Sequence, residues 1–459
     1  MNKARFTLIL ILFISWQSII YSQGVFYWSQ NYGTTSNLLG GLVIGSVRDV
    51  TATYYNPGYL GLSDPELIIG SKIYEYNDYS VDIEKFENID LSSSQFAASP
   101  SFVAGSFGSD SSTIHKLFYS FLVRESSEIN FNLKSVQNSP RSGNLSTQVN
   151  ELVFDGMMRE YWLGFSWGFA PKEHVGLGLT PYAAIRTDKL RGNNNFSKQD
   201  TSGAINTSQY TYEYKYFNVR LLAKFGMLWQ LSPFTLGFNL TTPSINLFGW
   251  GKTFLNLSAS DRINNDGTIE QGLLVSDFQE ELDSRYKNSL CLGFGASYEF
   301  GKSKLHITIE WFNKVPEYTI LNPDPFIGQS SLDTIDNDIK IGLKSIINYG
   351  LGYELVLSEK VKVLGSFFVD HNANNSFSQI DLFDVDMTIY HISAGANILI
   401  SSVLLTAGLE FAYGKHGFGT IYEIESSLND TRLKDVLAEL SGNLRYIRIK
   451  GILSASFQL

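Results

Sequence analysis

The sequence predicts an all-β protein: a transmembrane antiparallel β-barrel of about 14 strands, preceded by an N-terminal segment that fills its lumen. Aromatic residues make up 14% of the chain and charged residues only 17%, with 39 glycines. Beyond the N-terminus no apolar run is long enough for a membrane helix. Apolar and polar residues alternate with the period of a β-strand, as in strands that face lipid on one side and a lumen on the other. A large soluble β-sandwich protein is the alternative, but it would rarely carry so many aromatic residues on its buried stripes.

Residues 1–22 have the pattern of a secretory signal peptide. Lys3 and Arg5 precede an apolar stretch that runs from Phe6 to Ile20, and the small residue Ser22 follows it. We expect cleavage after Ser22. A membrane anchor is the alternative, which the short run and the lack of a basic flank disfavour. The sequence therefore predicts export, and the barrel pattern predicts the bacterial outer membrane.

Charge and residue counts exclude several classes of function. Without Lys3 and Arg5 the chain has 33 basic and 45 acidic residues, a net charge of −12, which argues against nucleic acid as a partner. The single cysteine, Cys291, cannot form an intrachain disulfide. The six histidines have no metal-ligand spacing, and no motif for a nucleophile or a phosphate loop occurs. We therefore expect no metal, no cofactor and no enzymatic activity.

The C-terminal stretch RYIRIKGILSASFQL shows the alternation clearly. Ile449 and Leu453 lie on an apolar face, whereas Arg448 and Lys450 lie on the opposite, polar face. A chain that ends on such a strand resembles the substrates of the barrel assembly machinery, which is an expected partner.

Counting back from this strand, short turns alternate with long polar loops, as periplasmic turns and outer loops would. The predicted strands lie near 66–76, 100–108, 116–131, 158–170, 173–187, 209–231, 233–257, 286–300, 303–313, 339–357, 360–371, 386–400, 402–414 and the C-terminus. The predicted short turns lie near Pro171-Lys172, Ser232-Pro233, Gly301-Lys302, Ser358-Glu359 and Ser401-Ser402, and the long loops cover 188–208, 258–285, 321–338, 372–385 and 415–443. Within the last loop, the stretch from Asp430 to Gly442 has helical spacing and is either a short helix or an irregular loop.

The predicted barrel takes residues 66–459, so residues 23–65 remain between the signal peptide and the first strand. They include Leu38 and Leu39, which would not stay exposed to water without a free-energy cost. Irregular backbone cannot lie in lipid, and a barrel of this size without a plug would leave an open hole. We therefore expect residues 23–65 to fold into the lumen.

One stretch of this segment carries a family resemblance. GGLVIGSVRDVTATYYNPGYLGL resembles the N-terminal hatch of the FadL/TodX family, outer-membrane transporters for long-chain fatty acids and other hydrophobic compounds. Gly58 stands where that family has alanine, and Tyr54 and Tyr55 are bulkier than usual. LGFNLTTPSINLFGWGK, at 236–252, resembles a mid-barrel strand of the family. The hatch residues that match in order are Gly40, Gly41, Gly45, Asp49, Asn56, Pro57 and Leu60.

The resemblance implies a passive route for a hydrophobic molecule, from the outer loops to a luminal site against the hatch. Hatch movement would then release the molecule sideways or into the periplasm. The sequence offers candidate ligand-binding residues in the hatch and on the last strand: Leu38, Leu39, Tyr54, Tyr55, Asn56, Pro57, Arg448 and Lys450. For the last two, the alternative is a salt-bridged interior with His306, Glu310 and Glu410 that braces the wall.

The family's lateral opening lies at a kinked third strand. Here the third predicted strand loses its alternation at Arg124, Glu125, Ser126 and Ser127. These residues form either a lateral gate or the point at which the strand leaves the bilayer.

Other functions remain open. Some FadL-like barrels, such as PorV, act as partners or shuttles in type IX secretion, and a general diffusion porin is a further alternative that the apolar plug disfavours. Expected partners are outer-membrane lipid and lipopolysaccharide, a hydrophobic small molecule and, for the secretion alternative, secretion-system proteins. Asp82, Glu84 and Glu87 form an acidic cluster that is either a calcium site or a solvated surface.

Overall fold

A computed structural model describes the chain in nine stretches. These are residues 26–64, 66–83, 91–107, 114–141, 144–199, 205–263, 269–375, 387–418 and 442–458. The predicted signal peptide lies outside them, as do Glu84 and Glu87 of the acidic cluster. The candidate helix that ends at Gly442 also lies outside them, apart from that last residue.

Strands dominate the described residues, and the helices are confined to the segment before the first strand. In chain order the strands are β1 (Glu66–Ile83), β2 (Leu91–Phe107), β3 (His115–Arg141), β4 (Asn144–Lys172), β5 (Val175–Gln199), β6 (Ile205–Leu231), β7 (Phe234–Thr241), β8 (Ile245–Ala259), β9 (Arg262–Ile263), β10 (Ile269–Glu270), β11 (Leu273–Asp283), β12 (Cys291–Phe300), β13 (Ser303–Phe312), β14 (Val315–Leu321), β15 (Phe326–Ile327), β16 (Thr334–Ile335), β17 (Ile339–Leu343), β18 (Ile346–Ser358), β19 (Val361–His371), β20 (Thr388–Ile400), β21 (Val403–Phe418) and β22 (Gly442–Gln458). The helices are α1 (Thr35–Leu38) and two 3₁₀ helices, Val50–Thr53 and Pro57–Gly61.

The long strands close into an antiparallel barrel of 14 wall strands, as predicted. The first and last strands pair, from Glu66 with Gln458 to Ile83 with Gly442. The seventh wall strand is split into β7 and β8, and the eighth into β11 and β12. The ring closes because β7 pairs with both β6 and β12. The remaining short strands form small hairpins in the long loops.

The wall has an apolar outer face and a polar inner face. On β22, for example, Leu453 is 52% exposed whereas Lys450 is fully buried. Large outward-facing side chains recur around the ring and form the apolar band that a barrel presents to a bilayer. They include Phe165, Trp167, Phe225, Trp229, Phe238, Phe248, Trp250, Phe294, Phe367 and Phe411. No helix in the described stretches is long and apolar enough to cross a membrane.

Short turns join neighbouring strands at one end of the barrel, here called the short-turn end. Two-residue turns occupy 173–174, 232–233, 301–302, 359–360 and 401–402. Each lies within two residues of the position that the sequence predicts. The first strand also begins, and the last strand ends, at this end of the barrel.

The predicted loop at 188–208 is wrong for most of its length. β5 and β6 remain paired from Val175–Trp229 to Gln199–Ile205, so the wall continues far beyond a bilayer thickness. Outside lipid a strand no longer needs an apolar face. The polar composition of these parts of β5 and β6 therefore resembled that of a loop. For the same reason β11 was not predicted, and it lies within the predicted loop at 258–285.

Two predicted single strands are interrupted. The strand predicted at 233–257 breaks between β7 and β8, at a site that contains Pro243, a residue without a backbone N–H for the ladder. The strand predicted at 339–357 breaks between β17 and β18. β17, which precedes this break, pairs with β14 in a hairpin rather than with the wall.

Candidate ligand-binding lumen

Residues 26–64, the described part of the predicted hatch, pack inside the ring of strands. They contact opposite sides of the wall: the Ser393 hydroxyl donates to the Leu38 carbonyl over 2.6 Å, and the Tyr182 hydroxyl donates to the Thr53 carbonyl over 2.6 Å. The apolar side chains of the segment form a core with the inner wall.

Two polar residues start the two 3₁₀ helices of the hatch. The Asp49 carboxylate accepts from the Thr51 N–H at 2.9 Å, and the Asn56 side chain accepts from the Gly58 N–H at 3.0 Å. Pro57 occupies the first helical position, where no N–H is needed. Burial raises the pKa of the Asp49 carboxyl above its ordinary value, although its bonds to Thr51 oppose that shift. The Asn-Pro-Gly sequence is thus a capped helical turn.

The hatch lies directly against glycines of the wall. A Cβ atom on Gly58 would come within 2.6 Å of the Leu228 backbone nitrogen, and one on Gly237 within 1.9 Å of the Ile44 carbonyl oxygen. Neither neighbour is the end of a flexible side chain. Gly58, which departs from the alanine of the family pattern, therefore fits a position where only glycine allows this approach of two backbones.

A small pocket of about 70 Å³ lies between the hatch and the inner wall. Aromatic and apolar side chains cover much of its surface, and Tyr27 stacks on Phe312 with 3.9 Å between ring centres. About half of the lining residues are polar or charged, so the aromatic surface lies beside several charged groups. The apolar lining residues are Phe26, Tyr27, Tyr54, Met158, Trp162, Tyr286 and Phe312.

Two buried cations border this pocket beside Tyr54. The Lys224 ammonium lies 4.7 Å from the centre of the Tyr54 ring, and the Arg124 guanidinium lies 6.0 Å from it. Arg124 Nη2 donates to the Tyr27 carbonyl over 2.7 Å, while its buried Nη1 has no hydrogen-bond partner among the described residues. Burial raises the pKa of Tyr54 to about 12, so its hydroxyl stays neutral. The site can therefore accept an anionic group next to an aromatic surface.

Three carboxylates also line the pocket, those of Glu125, Glu160 and Glu310. Glu310 accepts from the Trp28 indole N–H at 2.6 Å, and the Cys291 thiol lies 3.6 Å from its other oxygen. Within the described stretches no three His, Cys, Asp or Glu side chains are arranged to hold a metal ion.

Three charged wall residues hold the backbone of the N-terminal strap, Tyr27–Ser29, over the pocket. Arg124 donates to the Tyr27 carbonyl, the Asp370 carboxylate accepts from the Trp28 N–H at 2.9 Å, and Arg448 donates to the Ser29 carbonyl at 2.9 Å. These residues come from β3, β19 and β22. The strap is thus bound on several sides of the barrel at once.

The structure places Arg448 and Lys450 away from this pocket. Arg448 Nη2 lies 2.6 Å and Lys450 Nζ 3.4 Å from the carboxylate oxygens of Glu410, and His391 lies 3.3 Å from the same group. All four side chains are buried. This is the arrangement expected of a salt-bridged interior that links neighbouring strands.

The predicted hatch residues take different positions in the structure. Tyr54 lines the pocket, whereas Leu38 and Leu39 are fully buried in the core, with Leu39 also bordering a cavity toward the short-turn end. The Tyr55 hydroxyl accepts from the Tyr32 N–H at 2.8 Å. The remaining two, Asn56 and Pro57, shape the 3₁₀ turn, and Asn56 Nδ2 also donates to the Ile44 and Met227 carbonyls.

The candidate gate residues lie where the third strand changes its pairing. The β2–β3 ladder ends at Phe102 and Leu122, and beyond it β3 pairs with β4 alone. A bulge in the β3–β4 register falls at Arg124. The strand does not end there, because Ser126 and Ser127 continue the ladder with β4. Arg124 and Glu125 line the pocket.

The sequence analysis missed Lys224, Asp370, Met158 and Trp162 as residues of this site. Each lies at an inward-facing position of a strand whose period was recognised. For Lys224 and Asp370 the available signal was a charge on the luminal face, which did not say which charges meet across the barrel. Met158 and Trp162 carry no charge and gave no such signal.

No protein-family model and no curated protein sequence matches the chain. Solved structures do match over nearly the whole length. A Pseudomonas aeruginosa FadL homologue superposes with a TM-score of 0.61 at 12% identity, covering 95% of this chain and 100% of its own. The P. putida toluene transporter TodX superposes with a TM-score of 0.57 at 12% identity, covering 94% of this chain and 99% of its own. The Ralstonia pickettii toluene transporter TbuX superposes with a TM-score of 0.53 at 12% identity, covering 94% of this chain and 98% of its own. At these identities the likeness establishes the fold, which is the FadL-type barrel.

Proposed function

From this FadL-type fold, we propose that the chain is a bacterial outer-membrane channel for hydrophobic small molecules. It binds them passively in the pocket beneath the strap and releases them when the hatch moves. The observation that carries the proposal is the pocket itself, which has an aromatic surface and three buried cations, Arg124, Arg186 and Lys224, inside a closed barrel. The likeness to TodX and TbuX, which are toluene transporters, supports a hydrophobic cargo.

Within this class we propose a long-chain fatty acid as substrate. Arg124 and Lys224 supply positive charge for a carboxylate, and the guanidinium has a buried nitrogen without a partner among the described residues. Charge-assisted hydrogen bonds of this kind are the strong ones in a dry site. Tyr54, Trp162 and Phe312 provide apolar surface for the alkyl chain.

Release takes place sideways or toward the periplasm. The lateral route passes the gate at Arg124, Glu125, Ser126 and Ser127, where β3 has lost its ladder with β2. The strap contributes to control of this gate, because Arg124 both belongs to the gate and donates to the Tyr27 carbonyl. Movement of the strap therefore changes the surroundings of the gate.

The substrate proposal is tested by equilibrium binding of oleate and of oleyl alcohol to the purified protein. We expect Lys224→Met to weaken oleate binding roughly tenfold or more, because it removes one charge-assisted contact. Binding of the uncharged alcohol should change little. Lys172→Met, at an exposed position of the short-turn end, is the matched control.

An equal loss of affinity for both ligands in Lys224→Met would contradict the carboxylate site but would remain compatible with a hydrophobic pocket. Absence of saturable binding of either ligand to the wild-type protein would contradict the proposed function itself.

A further inference from the structure

We propose that the pocket has a lateral port to the bilayer between the seventh and eighth wall strands, through which hydrophobic solutes exchange with the membrane. The inference rests on the proposed function, because it names a route for the same ligands. It is distinct from the gate in β3, which borders the pocket from another part of the wall.

The backbone ladder between these two strands is interrupted. Between β7 and β12 it ends at the pair formed by Thr241 and Cys291. Between β8 and β11 it begins again at the pair formed by Trp250 and Asp283. Between β20 and β21, on another side of the barrel, the ladder runs without a break from Ile389–Gly414 to Ile400–Val403.

The intervening stretches, residues 242–249 and 284–290, are here called the wall window. One backbone bond remains at the edge of the window, from the Ser284 N–H to the Gly249 carbonyl over 3.2 Å. Within the window, the Asn288 N–H donates to the Ser244 hydroxyl over 2.9 Å. A side chain that can rotate thus replaces fixed backbone pairing. The window can widen without breaking a continuous ladder of backbone hydrogen bonds.

The eighth-strand side of the window is displaced toward the lumen. Asn218 and Arg220 are buried side chains of β6 that reach past the seventh strand. Asn218 Nδ2 donates to the Ser284 carbonyl over 3.1 Å, and Arg220 Nε donates to the Asn288 side chain. Residues 284–290 are therefore held by side chains from within the barrel as well as by the seventh strand.

The two faces of the window have the chemistry that a port requires. On the outside, Ile245, Leu247 and Phe248 are exposed beside a register shift between β6 and β8, and Ile245 is 69% exposed. On the inside, Tyr286, Ser289 and Cys291 line the ligand pocket. An apolar outer rim thus lies directly across the window from the pocket.

The port is tested by closing it with a disulfide. Ser244→Cys and Asn288→Cys are introduced in a Cys291→Ala background, so that the pair holds the only cysteines. Uptake of radiolabelled oleate into proteoliposomes is measured after oxidation and again after reduction. A matched pair, Ile398→Cys with Leu405→Cys, bridges opposite outward-facing positions of β20 and β21 far from the window.

We expect oxidation to slow uptake at least fivefold in the window pair and reduction to restore it, with no change in the control pair. Equal rates in the oxidised and reduced window pair would overturn the port and leave the proposed function intact. Failure of the reduced variants and of the wild type to take up oleate would overturn both.

A second measurement needs no engineered cysteine. In proteoliposomes, a lipid-soluble pyrene maleimide should label the native Cys291 through the window. Ser244→Trp, which fills the window, should slow labelling at least fivefold, whereas Ile398→Trp should not. Unchanged labelling in Ser244→Trp would contradict the port.

Discussion

At the scale of single residues, glycines decide how the hatch fits. Gly58 lies against the backbone of β6 at a distance that no side chain allows. The sequence alone made Gly58 a departure from the family's alanine, because nothing in a one-dimensional pattern shows that another backbone lies 2.6 Å from the position of the missing Cβ.

We predict that Gly58→Ala loosens the hatch and destabilises its packing by about 1–3 kcal/mol, as overpacking does. Hydrogen exchange of the hatch amides should speed up. Gly192→Ala is the control, because nothing lies within 4 Å of its Cβ position. Identical exchange in Gly58→Ala and in the wild type would contradict the described contact.

At the scale of elements, the strand periods were predictable and the strand ends were not. Alternation identified β13, β19 and β22 because their two faces meet different solvents. The outer halves of β5 and β6 escaped detection, since both of their faces are compatible with polar residues. The break between β7 and β8 coincides with Pro243, a signal present in the sequence but read there as part of a family motif.

The Glu410 cluster ties β20, β21 and β22 together across the inner face. Removing the carboxylate takes one counter-ion from the buried Arg448 and Lys450, and breaking such a buried pair destabilises proteins by up to roughly 3–5 kcal/mol. We predict a lower thermal midpoint for Glu410→Gln, with partial recovery in Glu410→Gln/Lys450→Met. Oleate affinity should stay the same in the double variant.

Glu213→Gln is the matched control, because Glu213 faces Lys252 in a partly exposed pair with 3.9 Å between charged atoms. Such pairs contribute at most about 1 kcal/mol. A tenfold loss of oleate affinity with an unchanged midpoint would instead favour Arg448 and Lys450 as ligand-binding residues.

At the scale of the whole molecule, the sequence predicted a 14-stranded barrel because the alternation is set by lipid on one side and lumen on the other. The pocket was not predictable in the same way. Its residues come from the hatch with its strap, from residues 284–290 and from strands β3, β4, β5, β6, β7, β12 and β13. Their convergence depends on the register of the closed ring. Tyr54 was the one hatch candidate that the fold brought to the pocket.

The central claim, transport of hydrophobic small molecules, is tested most directly by uptake of radiolabelled oleate in cells that lack this chain. We predict that deletion lowers uptake and that the wild-type chain restores it, because the pocket then again connects the cell surface to the release route. Unchanged uptake after deletion, together with lost export of secreted proteins, would contradict the claim and favour the secretion alternative.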